Sequence, residues 1–216
     1  MILNSGPFIL KQKNTMQIIF FCFLIIILIA CEEEKVLLPI EMMVITDLYA
    51  PTTSKTGEPP AGKYVKFSFS KQDTVSDDKW DIAFRATDIL VNGGFKGSND
   101  EPVRTGIGSV HIASGTFSGV KEAPADNLFQ QDSETGTAIP RGSGKGWYLY
   151  DEVTYILSQI ANKILVVKTH DGRYAKMQIS SYYKDSPDIP NPFQNQSQTY
   201  SFVYTYQPNE GLKNFN

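Results

Sequence analysis

Cysteine and histidine are scarce in this sequence. Its 216 residues include two of each: Cys22, Cys31, His111 and His170. Cys22 falls inside an apolar run and Cys31 at its end, so removing residues 1–30 as a leader leaves one thiol. No internal disulfide, CxxC redox pair or cysteine zinc site is then available. Two histidines far apart in sequence exclude the paired histidines of common zinc motifs and leave no evident catalytic triad.

Charge is also sparse, at 20% of residues, with a net value of −3. Without residues 1–30, which hold Lys11 and Lys13 and no acid, 18 basic residues face 23 acidic ones, a net of −5. Such a balance argues against binding a phosphate backbone, so no nucleic acid partner is expected. Gly142-Ser143-Gly144-Lys145-Gly146 is not a phosphate loop, because Ile139 stands where the first glycine belongs and Gly146 where Ser or Thr should follow the lysine. Asp77, Asp78 and Asp81 lack the glycine and distal glutamate of an EF-hand and read as solvated charge flanking a strand. No carboxylate pairing is visible, so an enzyme is not expected.

What is present starts with the leader. Residues 1–15 carry Lys11 and Lys13 and no acid, and Ile18 to Ala30 is apolar throughout, as in a signal peptide. Thirteen helical residues rise only about 20 Å, short of a bilayer's hydrocarbon core. The run closes on Leu28-Ile29-Ala30-Cys31, which resembles a bacterial lipobox with Cys31 as the lipidated residue. The bland reading is a secretory signal with a coincidental cysteine. Glu32-Glu33-Glu34 resembles a surface-export signal of Bacteroidota lipoproteins, or else is a solvated spacer. Acyl chains on Cys31 would anchor the protein on a membrane without spanning it.

The expected division is a signal peptide over 1–30, a lipidated segment and linker over 31–62, and a β domain over 63–216. Residues 50–62 are rich in Pro, Gly, Thr and Ser and read as a loop. Ile40 to Leu48 is apolar enough for an added edge strand. From Lys63 onward, short period-two runs rich in aromatic and β-branched residues argue for an all-β domain. The clearest are Val65–Phe69, Trp80–Phe84, Val110–Ile112, Trp147–Tyr150, Lys163–Thr169, Tyr174–Tyr183 and Thr199–Gln207. In the last, Tyr200, Phe202, Tyr204 and Tyr206 share one face. Asp171-Gly172 predicts a two-residue hairpin turn, and Asn92-Gly93-Gly94 is a second turn signal.

Five segments together, in order from Lys79 to Gln207, resemble the HmuY family: Trp80-Asp81-Ile82-Ala83-Phe84, Asn92-Gly93-Gly94, Trp147-Tyr148, Val166 to Tyr183, and Ser201 to Gln207. The resemblance implies a single antiparallel, hand-like β domain, lipid-anchored at the outer membrane and displayed at the cell surface. It also implies haem or porphyrin as ligand and transfer to an outer-membrane receptor.

Family members ligate haem through histidines or methionines in loops bracketing the strand that holds Trp147 and Tyr148. Phe129–Gly146 and Asp151–Thr154 contain neither residue type. Haem iron accepts His, Met, Tyr or thiolate, which leaves His111, Tyr148, Tyr150 and Tyr155 as candidates. His111 alternates against Val110 and Ile112 and should project from the opposite face of its strand. His170 reads as an exposed residue at a hairpin tip and Met177 as core. A rival expectation is a surface interaction lipoprotein that keeps the fold and has lost haem ligation.

Overall fold

Alternation along the chain resolves into antiparallel β-structure in the computed structural model, which describes residues 1–2, 36–55 and 57–216. Cys22, Cys31 and the acidic run after it lie outside the described residues, as does the leader beyond its first two positions. Residues Leu38–Asn216 form one compact unit. Its strands are β1 (Glu41–Tyr49), β2 (Val65–Ser68), β3 (Asp73–Thr74), β4 (Ile82–Arg85), β5 (Asp88–Val91), β6 (Ser109–Ser114), β7 (Tyr148–Tyr150), β8 (Leu157–Gln159), β9 (Lys163–Lys168), β10 (Tyr174–Tyr183) and β11 (Ser197–Gln207). Helical structure among the described residues is one 3-10 turn, Asp126–Leu128.

One sheet has the order β1-β11-β10-β9-β6, a second β3-β2-β4-β5, and β7 pairs with β8 as a ribbon. All of these strand pairings are antiparallel. The aromatic face expected on β11 packs against the four-stranded sheet. Phe202 lies 5.4 Å from Phe67 and 5.8 Å from Phe84, and Tyr200 lies 4.7 Å from Phe84. Edge-on, tilted and stacked rings of this kind fill the space between two facing sheets.

Strict alternation fails in β4, β5 and the centre of β9, which are buried on both faces. Tyr64, Trp80, Ala83 and Leu90 form a layer outside the four-stranded sheet. Ile164, Val166 and Tyr174 meet Ala123 and Phe215 outside the other. Because covering segments close both outer faces, these strands read as continuous apolar runs.

Four expectations change. The folded unit begins ahead of the expected boundary at 63, since β1 is the edge strand on β11, with Glu41 opposite Tyr206 and Tyr49 opposite Thr199. The β9–β10 hairpin exists, but its loop is His170-Asp171-Gly172, closed by Thr169 N–H donating to Arg173 O at 2.8 Å. Only Gly172 takes positive φ, at 90°, as in three-residue hairpins where a turn is followed by a left-handed residue. Asp81 is not solvated; it is 1% exposed and accepts from Phe69 N–H at 2.8 Å, His170 N–H at 3.0 Å and His170 Nδ1 at 2.7 Å. His170 is correspondingly a half-buried partner that ties the two sheets together, not a free tip residue. The bond to Asp81 raises its pKa above the ordinary histidine value, against the opposing pull of burial.

Gly93 does not sit in a simple hairpin. A Cβ there would stand 1.9 Å from Gly108 O, so a side chain is excluded where two segments cross. Asn92 beside it is buried, donating to Asp78 O and Trp80 O and accepting from Thr105 and Gly106 N–H.

Candidate functional site

The β7–β8 ribbon is stabilised from below and at its turn. Trp147, just ahead of β7, donates its indole N–H to Thr87 O at 3.0 Å. Its ring packs on Tyr148 at 5.1 Å, Tyr200 at 5.3 Å and Tyr182 at 5.6 Å. Tyr183 Oη accepts the Leu157 N–H at 2.9 Å, fastening β8 to β10.

The stretch Gly142–Gly146 is a prop for this ribbon. Ser143 Oγ accepts the Tyr150 N–H at 2.8 Å, and Gly144 N–H donates to Tyr148 O at 2.8 Å. Gly142 and Gly144 take φ of 100° and 77°, which suits glycine.

The ribbon's turn is an Asx motif. Asp151 Oδ1 accepts from Val153 N–H at 2.8 Å and Thr154 N–H at 3.0 Å. Those donors favour its charged form and hold its carboxyl below the usual range. Tyr155 closes the turn in the left-handed region at φ 60°, and its ring is open to solvent rather than buried in the core. The ring instead meets Phe193 of the β10–β11 loop at 6.0 Å, edge to face.

This end of the unit exposes apolar side chains from two loops. Leu149, Tyr150, Val153 and Tyr155 belong to the ribbon, Ile189 and Phe193 to the β10–β11 loop. Val153, Ile189 and Phe193 are each more than 80% exposed, well beyond the scattered surface leucine that needs no explanation. Sequence reasoning missed Ile189 and Phe193. Their only signal is that two large apolar residues stand among prolines and asparagines in a segment with no strand pattern.

Of the residues named from sequence, Tyr148, Tyr150 and Tyr155 share the ribbon. Tyr148 is half-buried on Trp147, while Tyr150 and Tyr155 are open to solvent. His111 is elsewhere. It projects from the outer face of β6, its ring 6.4 Å from Phe129 and its Nδ1 3.3 Å from Leu128 O. Met177 is fully buried core and Met42 lies exposed on β1. Tyr182 is buried, and desolvation drives its phenol pKa far above the ordinary value, so it stays neutral beneath the ribbon. No cluster of three or more His, Cys, Asp or Glu suited to a metal ion occurs among the described residues.

A second polar assembly, also missed, lies where 85–104 meets 132–141. Arg104 Nη2 binds Glu101 and Asp132 at 2.8 Å each. Arg141 binds Asp88 at 3.0 Å and Glu101 at 3.3 Å. Burial opposes the charge on Arg141, but Asp88, Tyr64 and Glu101 together outweigh it and push the guanidinium pKa up. Burial raises Asp132 despite donors from Ala138 N–H and Arg104. Four stretches meet here, around Asp88, Glu101–Arg104, Asp132 and Arg141, so no linear motif marks it.

Residues 61–204 match the family model described as HmuY protein. Among solved structures, a Bacteroides vulgatus protein described as HmuY-like and heme binding shares 15% identity with a TM-score of 0.45, covering 79% of this chain and 93% of its own. A Bacteroides fragilis protein described as a lipoprotein shares 14% identity at a TM-score of 0.46, with 79% and 92% covered. The apo HmuY analog of Tannerella forsythia shares 16% at 0.44, with 80% and 99% covered. No curated protein matches the chain in sequence.

Proposed function

The chain belongs to the HmuY family, and from that premise we propose that it binds haem or a related porphyrin between the β7–β8 ribbon and the β10–β11 loop. The observation that carries this reading is the exposed apolar surface on two facing loops, mounted on the buried Trp147-Tyr182-Tyr200 cluster. A porphyrin face is a large apolar plane, and rigid aromatic side chains cover such a plane at little entropic cost. Bound haem would supply a ferric iron that takes up axial oxygen or nitrogen ligands.

Within the ribbon, Tyr150 and Tyr155 offer phenolic oxygens, Tyr148 buttresses the strand, and Leu149, Val153 and Phe193 exclude water. His111 is too far removed in the fold, on the outer face of β6, to join them. The role is carriage, not catalysis. Lipidation at Cys31 would hold the protein at the outer membrane, facing the cell surface, where it passes haem to a receptor.

A second reading is a surface interaction lipoprotein without haem ligation, and one observation favours it: neither His nor Met occurs in Phe129–Gly146 or Asp151–Thr154. A Soret titration of the full chain, in both redox states, separates the two. The expected result is a saturable one-to-one shift, abolished or moved by Tyr150→Phe or Tyr155→Phe and untouched by His111→Ala. No shift would leave the interaction reading standing.

A further inference from the structure

Between β8 and the last residues of β10 lies a cleft of about 340 Å³, and its lining follows the edges of the two strands. A hollow on the face of a sheet is lined by every second residue of a strand, because side chains alternate. Here the lining residues are consecutive: Leu157–Gln159 on β8 and Ser180–Tyr183 on β10. Residues of the β10–β11 loop, Asp188 among them, complete it. The cleft is a slot that runs along backbone.

Neither edge has a ladder partner across the slot. β10 pairs with β9 only over Tyr174–Met177, so from Gln178 onward its one neighbouring strand is β11. β8 pairs with β7 and with no other strand among the described residues. Two bonds set the direction of its backbone groups: Asp151 N–H to Ile156 O at 2.9 Å and Ile160 N–H to Trp147 O at 2.8 Å. Ile156, Ser158 and Ile160 therefore face β7, and by alternation Leu157 and Gln159 turn their N–H and C=O groups to the other side. The Leu157 N–H is taken by Tyr183 Oη at 2.9 Å, a side chain bridging the gap where a ladder would use backbone. Leu157 C=O and both backbone groups of Gln159 form no hydrogen bond among the described residues. Unpaired edges of this kind are templates for another strand. Asp188 is the one charged residue in the lining, and the rest is largely serine, glutamine and proline.

We propose that the slot takes a short extended peptide segment as an added strand between β8 and β10, with small neutral side chains and one Lys or Arg set against Asp188. Main-chain bonds to the two edges supply affinity in strand addition, and side-chain contacts supply selectivity. The charge of Asp188 selects a cation and rejects an acidic segment. The volume lies at the lower end of the range for ligand pockets, which suits a few residues of small side chain. The inference does not rest on haem binding, since Tyr150, Tyr155 and Phe193 are not part of the slot.

The test is fluorescence anisotropy on the full chain held in detergent. The probes are labelled, capped hexapeptides of Ser, Thr and Val that carry a single Lys at each position in turn. Saturable binding of at least one of them, weakened about tenfold or more by Ser158→Trp or by Gln159→Trp, supports the slot. Both positions are exposed, so neither change enters the core, and unchanged circular dichroism verifies the fold. With the peptide bound, amide hydrogen exchange should slow along Leu157–Gln159 and Ser180–Tyr183 together. Replacing the peptide's Lys by Glu, or N-methylating its backbone amides, should abolish binding. The proposal is overturned if no hexapeptide binds, if the Glu or N-methylated peptide binds as well as its parent, if both tryptophan variants bind as before, or if protection appears on one strand alone. Self-association of the unliganded chain that the same variants remove would assign the slot to a second copy and overturn it equally.

Discussion

Replacing Asp81 by alanine should damage this fold more than its aspartate-rich surroundings suggest. The side chain receives three donors at 2.7–3.0 Å from two different sheets: Phe69 N–H, His170 N–H and the His170 ring. Alanine strands two backbone N–H groups, Phe69 being fully buried, at about 1–3 kcal/mol each, and leaves the ring without its acceptor. Breaking a buried pair from one side costs about 3–5 kcal/mol, and the same is expected here. His170→Ala is milder, since both backbone donors keep their carboxylate; the charged ring bond is worth about 1.5–3 kcal/mol. Because the folded pKa of His170 is raised, this ring contribution is complete below about pH 6.5 and fades as pH climbs through the raised value. Urea unfolding of both variants beside the parent, at about pH 6 and about pH 9, measures each cost. An Asp81→Ala loss below about 1 kcal/mol would refute the reasoning, as would a His170→Ala penalty that grows toward alkaline pH.

Other perturbations have equally direct readouts. Trp147→Ala removes the buried support of the ribbon and should cost about 3–5 kcal/mol in chemical denaturation, with any haem affinity falling alongside. Tyr200→Phe orphans Ala86 O, which now accepts the phenol at 2.6 Å, and should cost about 1–3 kcal/mol. Gly93→Ala drives a methyl into Gly108 O and should lower the thermal midpoint or prevent folding, a result that soluble expression and calorimetry would register. Arg104→Met leaves the buried Glu101 and Asp132 without their shared cation, so a loss of about 3–5 kcal/mol is expected in urea.

Local patterning carried the long strands. Lys163–Thr169, Tyr174–Tyr183 and Thr199–Gln207 combine β-branched and aromatic residues with a clear turn signal between the first two, and all three lie in one sheet. The shared face of Tyr200, Phe202 and Tyr204 could be read from alternation alone, whereas the centre of Lys163–Thr169 is buried on both faces. β5 escaped because Asp88-Ile89-Leu90-Val91 is buried on both faces and shows no period, and β8 because three residues carry too little pattern. Asp81 looked like one of several surface acids, since the donors that bury it come from Phe69 and His170, far away in sequence. The candidate site was half legible. Aromatic clustering around Trp147 marked the ribbon, while Ile189 and Phe193 have meaning only once the β10–β11 loop is seen against Tyr155. The arginine-carboxylate assembly is mostly tertiary: Glu101 and Arg104 are three residues apart, but Asp132 and Arg141 join them only in the fold.

Leu38 is clamped by Asn209, whose side chain accepts its N–H at 2.8 Å and donates to its carbonyl at 2.9 Å. Directly after it, β1 runs beside β11 from Glu41–Tyr206 to Tyr49–Thr199. The Tyr206 end adjoins Leu38, and the Tyr200 end adjoins Trp147 and the ribbon. A pull on the chain ahead of Leu38, resisted by something held at the ribbon, therefore acts along the strand axis. The load falls on the Asn209 clamp and then on the rungs of the ladder in parallel, a shear geometry that resists rupture far better than peeling the rungs one by one.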